Sequence, residues 1–217
     1  MWDIRKELNS LRPSRIGLFG GTFDPLHLGH LMMAQDALEG HELDEVCFIP
    51  SASPPHKTSV AVTPSRHRVA MLESVLESDL RFSMSLLELD RGGISYTRDT
   101  VLEFRRQLPD AELFFIIGSD TLFELYSWKD IDKLIEACSF ISIARPNFEF
   151  GALNAERLKL GPQQIDSIKK GLVTGHEVDV SSTEIRMRVA EGLSIRYLVP
   201  DSVAIYIAEH SLYSGFA

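Results

Sequence analysis

The chain has 217 residues, of which 44% are hydrophobic and 24% charged, and its formal net charge is −9. That length and apolar content suit one domain with a core of ordinary size and exclude wholesale disorder. A negative field repels phosphate backbones, so nucleic-acid binding is not expected, and an anionic small molecule would need a local cluster of basic groups.

Met1–Pro13 is polar and charged, without the apolar stretch of a signal peptide, and no run reaches transmembrane length. A cytoplasmic location with no membrane partner is therefore expected. Ile16–Phe19 is the first expected strand, and the helix Leu28–Leu38 follows it directly. Glu45–Ile49 is the second strand. Thr63 as N-cap and Pro64 at the first helical position open a helix expected over Pro64–Ser78, with Val69, Leu72 and Leu76 on its apolar face. Phe82–Leu89 reads as a strand or an extended segment. Thr97–Leu108 presents Val101, Phe104 and Leu108 on one helical face before Pro109 stops it. Leu113–Ile117 is a strand of strong β composition, Trp128–Ala137 a helix, Phe140–Ala144 a strand and Gly171–Thr174 a weak one. Asn147–Lys170 carries the least pattern and is expected to be a peripheral excursion. Thr183–Glu191 and Ser202–His210 close the chain as helices. Cys47 and Cys138 have no C-x-x-C partner or zinc spacing and read as reduced core thiols.

Strands and helices alternating at this spacing predict an α/β fold: a doubly wound, Rossmann-like parallel sheet with helices on both faces and a helical C-terminal part. Ligands of such sheets bind at the carboxyl ends of the strands. The segments that follow the strands are Gly20–Asp24, Pro50–Lys57, Gly118–Asp120 and Arg145–Pro146. All are polar, Gly-rich or basic, and they should meet on one rim.

The first of them continues as Gly20-Gly21-Thr22-Phe23-Asp24-Pro25-Leu26-His27-Leu28-Gly29-His30. Adjacent glycines permit positive φ and a close approach of backbone to ligand. The helix beginning near Leu28 offers free N–H groups and a positive dipole end, both of which suit phosphate. His27 and His30, three apart, would share a face of its first turn, and Gly29 keeps the space between them open. Imidazoles there would stabilise charge in phosphoryl or nucleotidyl transfer. Taken alone, H-x-x-H equally describes a helix cap or half of a metal site, although no nearby Cys or carboxylate completes one. Far downstream, Ser181 and Glu184 form a capping box that opens a helix. Arg186 sits early in that helix, where the dipole disfavours a cation, which points either to an anion nearby or to a solvated side chain.

The strand, double glycine, turn and H-x-G-H resemble the signature of the nucleotidyltransferase superfamily, which class I aminoacyl-tRNA synthetases share in related form. Ser181-Ser182-Thr183-Glu184-Ile185-Arg186 resembles the second phosphate motif of the same superfamily. Within it, Gly20–Pro25, Pro54-Pro55-His56-Lys57, Gly93–Thr100, Gly118-Ser119-Asp120 with Trp128, and Tyr197–Val203 resemble the bacterial nicotinate-nucleotide adenylyltransferases. The resemblance runs from Ile16 onward and implies one nucleotidyltransferase domain over 1–217, with 1–15 an extension outside it and 181–217 a helical part carrying the second motif.

The resemblance implies that nicotinate mononucleotide attacks ATP to give deamido-NAD and pyrophosphate in NAD biosynthesis. His27, His30 and Arg186 would be catalytic. Gly20, Gly21, Thr22, Phe23, His56, Lys57, Gly118, Asp120, Ser182 and Thr183 would bind ATP. Tyr96, Thr97, Trp128 and Arg145 would bind the mononucleotide. Mg²⁺ would accompany the nucleotide on phosphate oxygens, without a dedicated protein metal site. Read without the family, Thr97 is a helix cap, Asp120 equally a helix N-cap, Trp128 more readily a packed aromatic, and His56 and Lys57 parts of a solvated loop. One departure is Ile131, which stands where relatives often carry a second aromatic; Tyr126 is the candidate to replace it. Rival readings keep the chemistry with another acceptor (nicotinamide mononucleotide, phosphopantetheine, or glycerol 3-phosphate with CTP), or make the chain a non-catalytic nucleotide binder.

Overall fold

A computed structural model describes residues 15–53, 62–144, 154–176 and 178–215. Six strands form one sheet: β1 (Arg15–Gly21), β2 (Glu45–Pro50), β3 (Phe82–Met84), β4 (Glu112–Gly118), β5 (Ser139–Ala144) and β6 (Leu172–Thr174). Their spatial order is β3-β2-β1-β4-β5-β6, and every pairing is parallel. The order reverses between β1 and β4, the point at which a doubly wound sheet opens a crevice at the carboxyl ends of its strands.

Alternation along the strands explains the layers. Leu18, Cys47, Leu113, Phe115 and Ile117 face one side; Phe19, Phe48, Phe114 and Ile116 face the other. The first face is covered by α4 (Thr97–Gln107), α6 (Ile131–Ala137) and α8 (Pro162–Lys170). The second is covered by α1 (Leu28–Gly40) and α2 (Ser65–Leu76). Both faces are apolar, so the central strands are almost wholly buried, as parallel strands must be. Each large apolar side chain so buried contributes about 1.5–3 kcal/mol. A third cluster joins Met71 of α2 to Ile185 of α9 (Ser182–Ala190) and to Val203 and Ile207 of α10 (Asp201–Glu209), which fastens the C-terminal helices to the second face. Among the described residues, no helix is long and apolar enough to cross a membrane. Cys47 and Cys138 are free and buried, and burial pushes both thiols up, Cys138 to about 12.

Four local expectations need correcting. Pro64 is the N-cap of α2, not its first helical residue, because both backbone groups of Thr63 are engaged elsewhere. Phe82–Leu89 is strand only to Met84: Ser85 N–H makes the last bond to Phe48, and Leu87–Arg91 then turns into a short helix, α3. The helix expected from Trp128 starts at Ile131, after Asp130 in the left-handed region (φ 50) and an extended Trp128. The stretch taken as a peripheral excursion contributes to the core, because Leu158, Leu160, Ile165 and Ile168 are buried against the sheet.

Candidate active site

The glycine-rich motif begins where β1 ends, but its glycines act by size. Neither Gly20 nor Gly21 has positive φ; Phe23 does, at 49°. A Cβ on Gly21 would lie 2.8 Å from Phe23 Cζ, so the glycine gives the ring its place. Phe23 is 1% exposed and packs against Phe19, Phe48 and His30, which leaves only its backbone to meet a ligand.

His27 and His30 do not share a helical turn. His27 is the extended N-cap of α1 (φ −143, ψ 169), and its ring stacks on that of His30. His27 N–H donates to His30 Nδ1 at 3.3 Å, which places the proton of a neutral His30 on Nε2. His27 is buried, its Nδ1 has no hydrogen-bond partner, and burial lowers its pKa to about 4. Before a ligand arrives it is therefore neutral at physiological pH, and an approaching phosphate would favour its charged form. A Cβ on Gly29 would sit 3.1 Å from the His27 ring, so a glycine here leaves that ring its space. One of the helix donors expected to be free is not: Leu28 N–H donates to Leu198 O at 3.0 Å.

The second motif folds onto the first across more than 150 residues. Ser181 caps α9, its Oγ accepting from Glu184 N–H at 3.1 Å. Ile185, fully buried, anchors the helix from beneath. Ser182 Oγ donates to Pro25 O at 3.0 Å and Arg186 Nη1 to Asp24 O at 2.7 Å, while Arg186 Nη2 reaches Thr183 Oγ1 at 3.2 Å. The arginine thus turns back toward the N-terminus of its own helix, beside the imidazole turn.

Next to this turn opens a cavity of about 580 Å³. Its walls include Gly20, Gly21 and Thr22 on one side and Tyr96, Thr97, Gly118 and Trp128 on the other. Trp128 is half-buried and stands edge-on to Phe115 and Phe140, a support that sets its plane. Tyr96, not Thr97, is the N-cap of α4, and Thr97 opens the helix. Asp120 neither lines the cavity nor caps a helix; it is exposed in the first turn of α5 (Ser119–Leu122), whose N-cap is Gly118. Tyr126 does not replace the missing aromatic, because its ring is exposed under Lys159 Nζ. Ile131 packs against the core. His56, Lys57 and Arg145 lie outside the described residues.

Several groups at the site have no role assigned from the sequence. Lys129 lines the cavity with Nζ 4.1 Å from the centre of the Tyr96 ring, at cation–π distance. Arg98, also in the wall, is paired with Asp99 and Asp130. Arg68 is a buried guanidinium behind the turn, and Asp24 a buried carboxylate within it. One signal pointed to Arg68: it stands at the i−4 position to Leu72 and i−8 to Leu76, a charge on the buried stripe of α2.

The family model described as cytidylyltransferase-like matches residues 18–188. A Moorella thermoacetica protein named probable nicotinate-nucleotide adenylyltransferase is 42% identical over 203 residues, 93% of either chain. A Thermus thermophilus protein of the same name is 45% identical over 199 residues, 92% of this chain and 99% of its own. Among solved structures, nicotinic acid mononucleotide adenylyltransferase of Plasmodium falciparum complexed with NaAD superposes with a TM-score of 0.73. It covers 93% of this chain and 98% of its own at 20% identity, a likeness of fold.

Proposed function

We infer, on the premise that this chain belongs to the cytidylyltransferase-like family and within it to the nicotinate-nucleotide adenylyltransferases, that the imidazole turn receives ATP and the neighbouring cavity receives the acceptor. The reaction transfers the adenylyl group of ATP to nicotinate mononucleotide, giving deamido-NAD and pyrophosphate, a step of NAD biosynthesis.

The observation that carries the assignment of residues is the docking of Arg186 and Ser182 on the carbonyls of Asp24 and Pro25, which Leu26 separates from His27. That docking supports the reading that two groups of phosphate-binding residues, distant in sequence, act at one turn. In the proposed course, an oxygen of the mononucleotide phosphate attacks the α-phosphorus in line. The bond from that phosphorus to the α–β bridging oxygen breaks, and pyrophosphate leaves. Mg²⁺ entering with the nucleotide would supply further charge neutralisation; among the described residues, no group of three or more His, Cys, Asp or Glu could hold it. His30 Nε2–H and the His27 ring donate to the oxygens on which charge grows. Ser182, Thr183 and Arg186, at the N-terminus of α9, hold the departing phosphates. The backbone of Gly20, Gly21, Thr22 and Phe23 supports the α-phosphate. An incoming phosphate is already an anion, so no general base is required, and catalysis is positioning and electrostatics.

On the acceptor side, the N-terminus of α4 at Tyr96 and Thr97 would take the nicotinate carboxylate, and Trp128 would stack on the pyridine ring. Gly118 borders the same space. The family pattern adds His56 and Lys57 for the triphosphate and Arg145 for the mononucleotide phosphate. Asp120 is withdrawn from the cavity, and any ribose contact would be made from its edge.

A pyrophosphate-release assay with nicotinate mononucleotide, nicotinamide mononucleotide and phosphopantetheine in parallel tests the reading. Nicotinate mononucleotide is expected to turn over with the highest kcat/KM, and its failure to release pyrophosphate while another acceptor does so would reassign the substrate. ATP binding without turnover on any acceptor would leave a nucleotide-binding protein.

A further inference from the structure

We infer that Arg68 is a positioning residue of the transfer reaction: its buried guanidinium ties the turn that receives ATP to the wall that receives the acceptor, and so sets the separation of the two substrates. This rests on the reaction assigned above.

Arg68 lies on α2 and is 2% exposed. Three of its five N–H donors go to backbone carbonyls: Nη1 to Thr22 O at 2.8 Å, Nη2 to Ser51 O at 2.9 Å and Nε to Thr63 O at 3.0 Å. Those carbonyls come from three separate segments, namely the turn after β1, the loop after β2 and the approach to α2. A guanidinium is a rigid planar fork, so it holds the three in one fixed arrangement that a single ammonium cannot reproduce.

Two of these bonds reach the site through peptide planes. A trans peptide points its C=O and N–H in opposite directions. With the Thr22 carbonyl turned to Arg68, the Phe23 N–H is aimed the other way, away from the buried guanidinium. With the Ser51 carbonyl turned to Arg68, the Ala52 N–H meets Ser95 Oγ at 3.0 Å. Ser95 N–H then donates to Ser53 O at 3.0 Å, and the next residue is Tyr96. Thr22, Ser51, Ser95 and Tyr96 all line the cavity. One chain of hydrogen bonds thus runs from Arg68 into both substrate walls.

Burial disfavours the charge of Arg68, and Asp24 and Tyr213 offset part of that effect at the same point. Asp24, 4% exposed, supplies the negative potential at Arg68. Its Oδ2 accepts from Thr63 N–H at 3.1 Å, so Thr63 is held at its carbonyl by Arg68 and at its amide by Asp24. The Asp24 carbonyl accepts from Arg186. Displacing this centre moves phosphate donors and acceptor wall relative to each other, and in-line attack tolerates little displacement.

The test compares full-length Arg68→Lys and Arg68→Ala with wild type, each well below its own melting temperature. We expect kcat to fall on the order of 10²-fold in both, with smaller changes in the KM of each substrate. Added methylguanidinium should restore part of kcat to Arg68→Ala and none to Arg68→Lys. Near-wild-type kcat in either folded variant, or activity that merely follows the folded fraction, overturns the role. Should neither variant fold, Ser95→Ala decides: a kcat about tenfold lower in the folded protein supports the relay, and a normal kcat overturns it. The wild-type rate tests the reaction, whereas the variant-to-wild-type ratio, read with whichever acceptor turns over, tests Arg68.

Discussion

The rings of His27 and His30 lie face to face, 3.7 Å between centres and 26° from parallel, with His30 also resting at 5.1 Å on the buried ring of Phe23. Stacking and the bond from His27 N–H fix the His30 imidazole before substrate binds, so little reorganisation remains for the transition state. His30→Ala is expected to lower kcat by at least about 10²-fold, the scale for losing one preorganised donor. A melting temperature close to wild type with near-normal turnover would remove His30 from the reaction.

Burial of His27 also ties stability to pH. Its pKa falls from 6.5 to about 4 on folding, through desolvation. Between those values the unfolded chain binds a proton that the folded chain refuses, so this contribution is complete above pH 6.5 and is lost as pH falls to about 4. Its size is about 3 kcal/mol. His41 and His67 are also lowered and act in the same direction, so the difference between wild type and His27→Asn isolates the effect. Denaturant titrations from pH 4 to 7.5 should show the stability of wild type falling more steeply with acid than that of the variant. Parallel curves would mean that His27 is not held neutral by the fold.

In the proposed site, Trp128 is expected to separate the two substrates kinetically. It lines the cavity and stands in T-shaped contact with Phe115 and Phe140. Loss of a stacking partner costs about 0.5–1.5 kcal/mol beyond area, so Trp128→Ala should raise the KM of nicotinate mononucleotide roughly three- to tenfold. The KM of ATP should stay unchanged, and Trp128→Phe should recover most of the loss. Equal rises for both substrates would place the ring outside the acceptor site.

What could be read before folding and what could not divide along physical lines. Strands such as Leu113–Ile117 and the loops after them follow from apolar runs and turn chemistry, which are local. The union of His27 with Arg186 depends on Ile185 and Val203 packing beneath α9, a tertiary event, yet both motifs were visible in order. Positive φ at Phe23 and Asp130 has no side-chain signature of glycine kind, so the turn was assigned to Gly20 and Gly21 and α6 was begun too early. Tyr126 and Asp120 stand next to site residues in the chain, but one helical position turns each away. Arg68 did leave a mark, a charge on an apolar stripe, whose meaning depends on carbonyls from three distant segments.

Tyr213 lies 189 residues from Asp24 in sequence and donates to its Oδ1 at 2.7 Å. Tyr213 is buried, and burial together with the Asp24 charge pushes its phenol up, so it remains a donor at any working pH. Asp24 is the same carboxylate that holds Thr63 and offsets part of the effect of burial on Arg68. Tyr213→Phe keeps the ring and strips the hydroxyl, leaving Asp24 Oδ1 short of a partner in a place water reaches poorly. That should cost about 1–3 kcal/mol. Because Asp24 also carries Arg186 on its carbonyl, kcat/KM for ATP should fall further than that for the acceptor. Tyr206→Phe is the control: its hydroxyl bonds His67 Nδ1 on a partly exposed surface between α2 and α10, where such changes stay within about 0.5 kcal/mol. Equal stability losses in the two variants would show that the Tyr213 hydroxyl does no more for Asp24 than an exposed contact does.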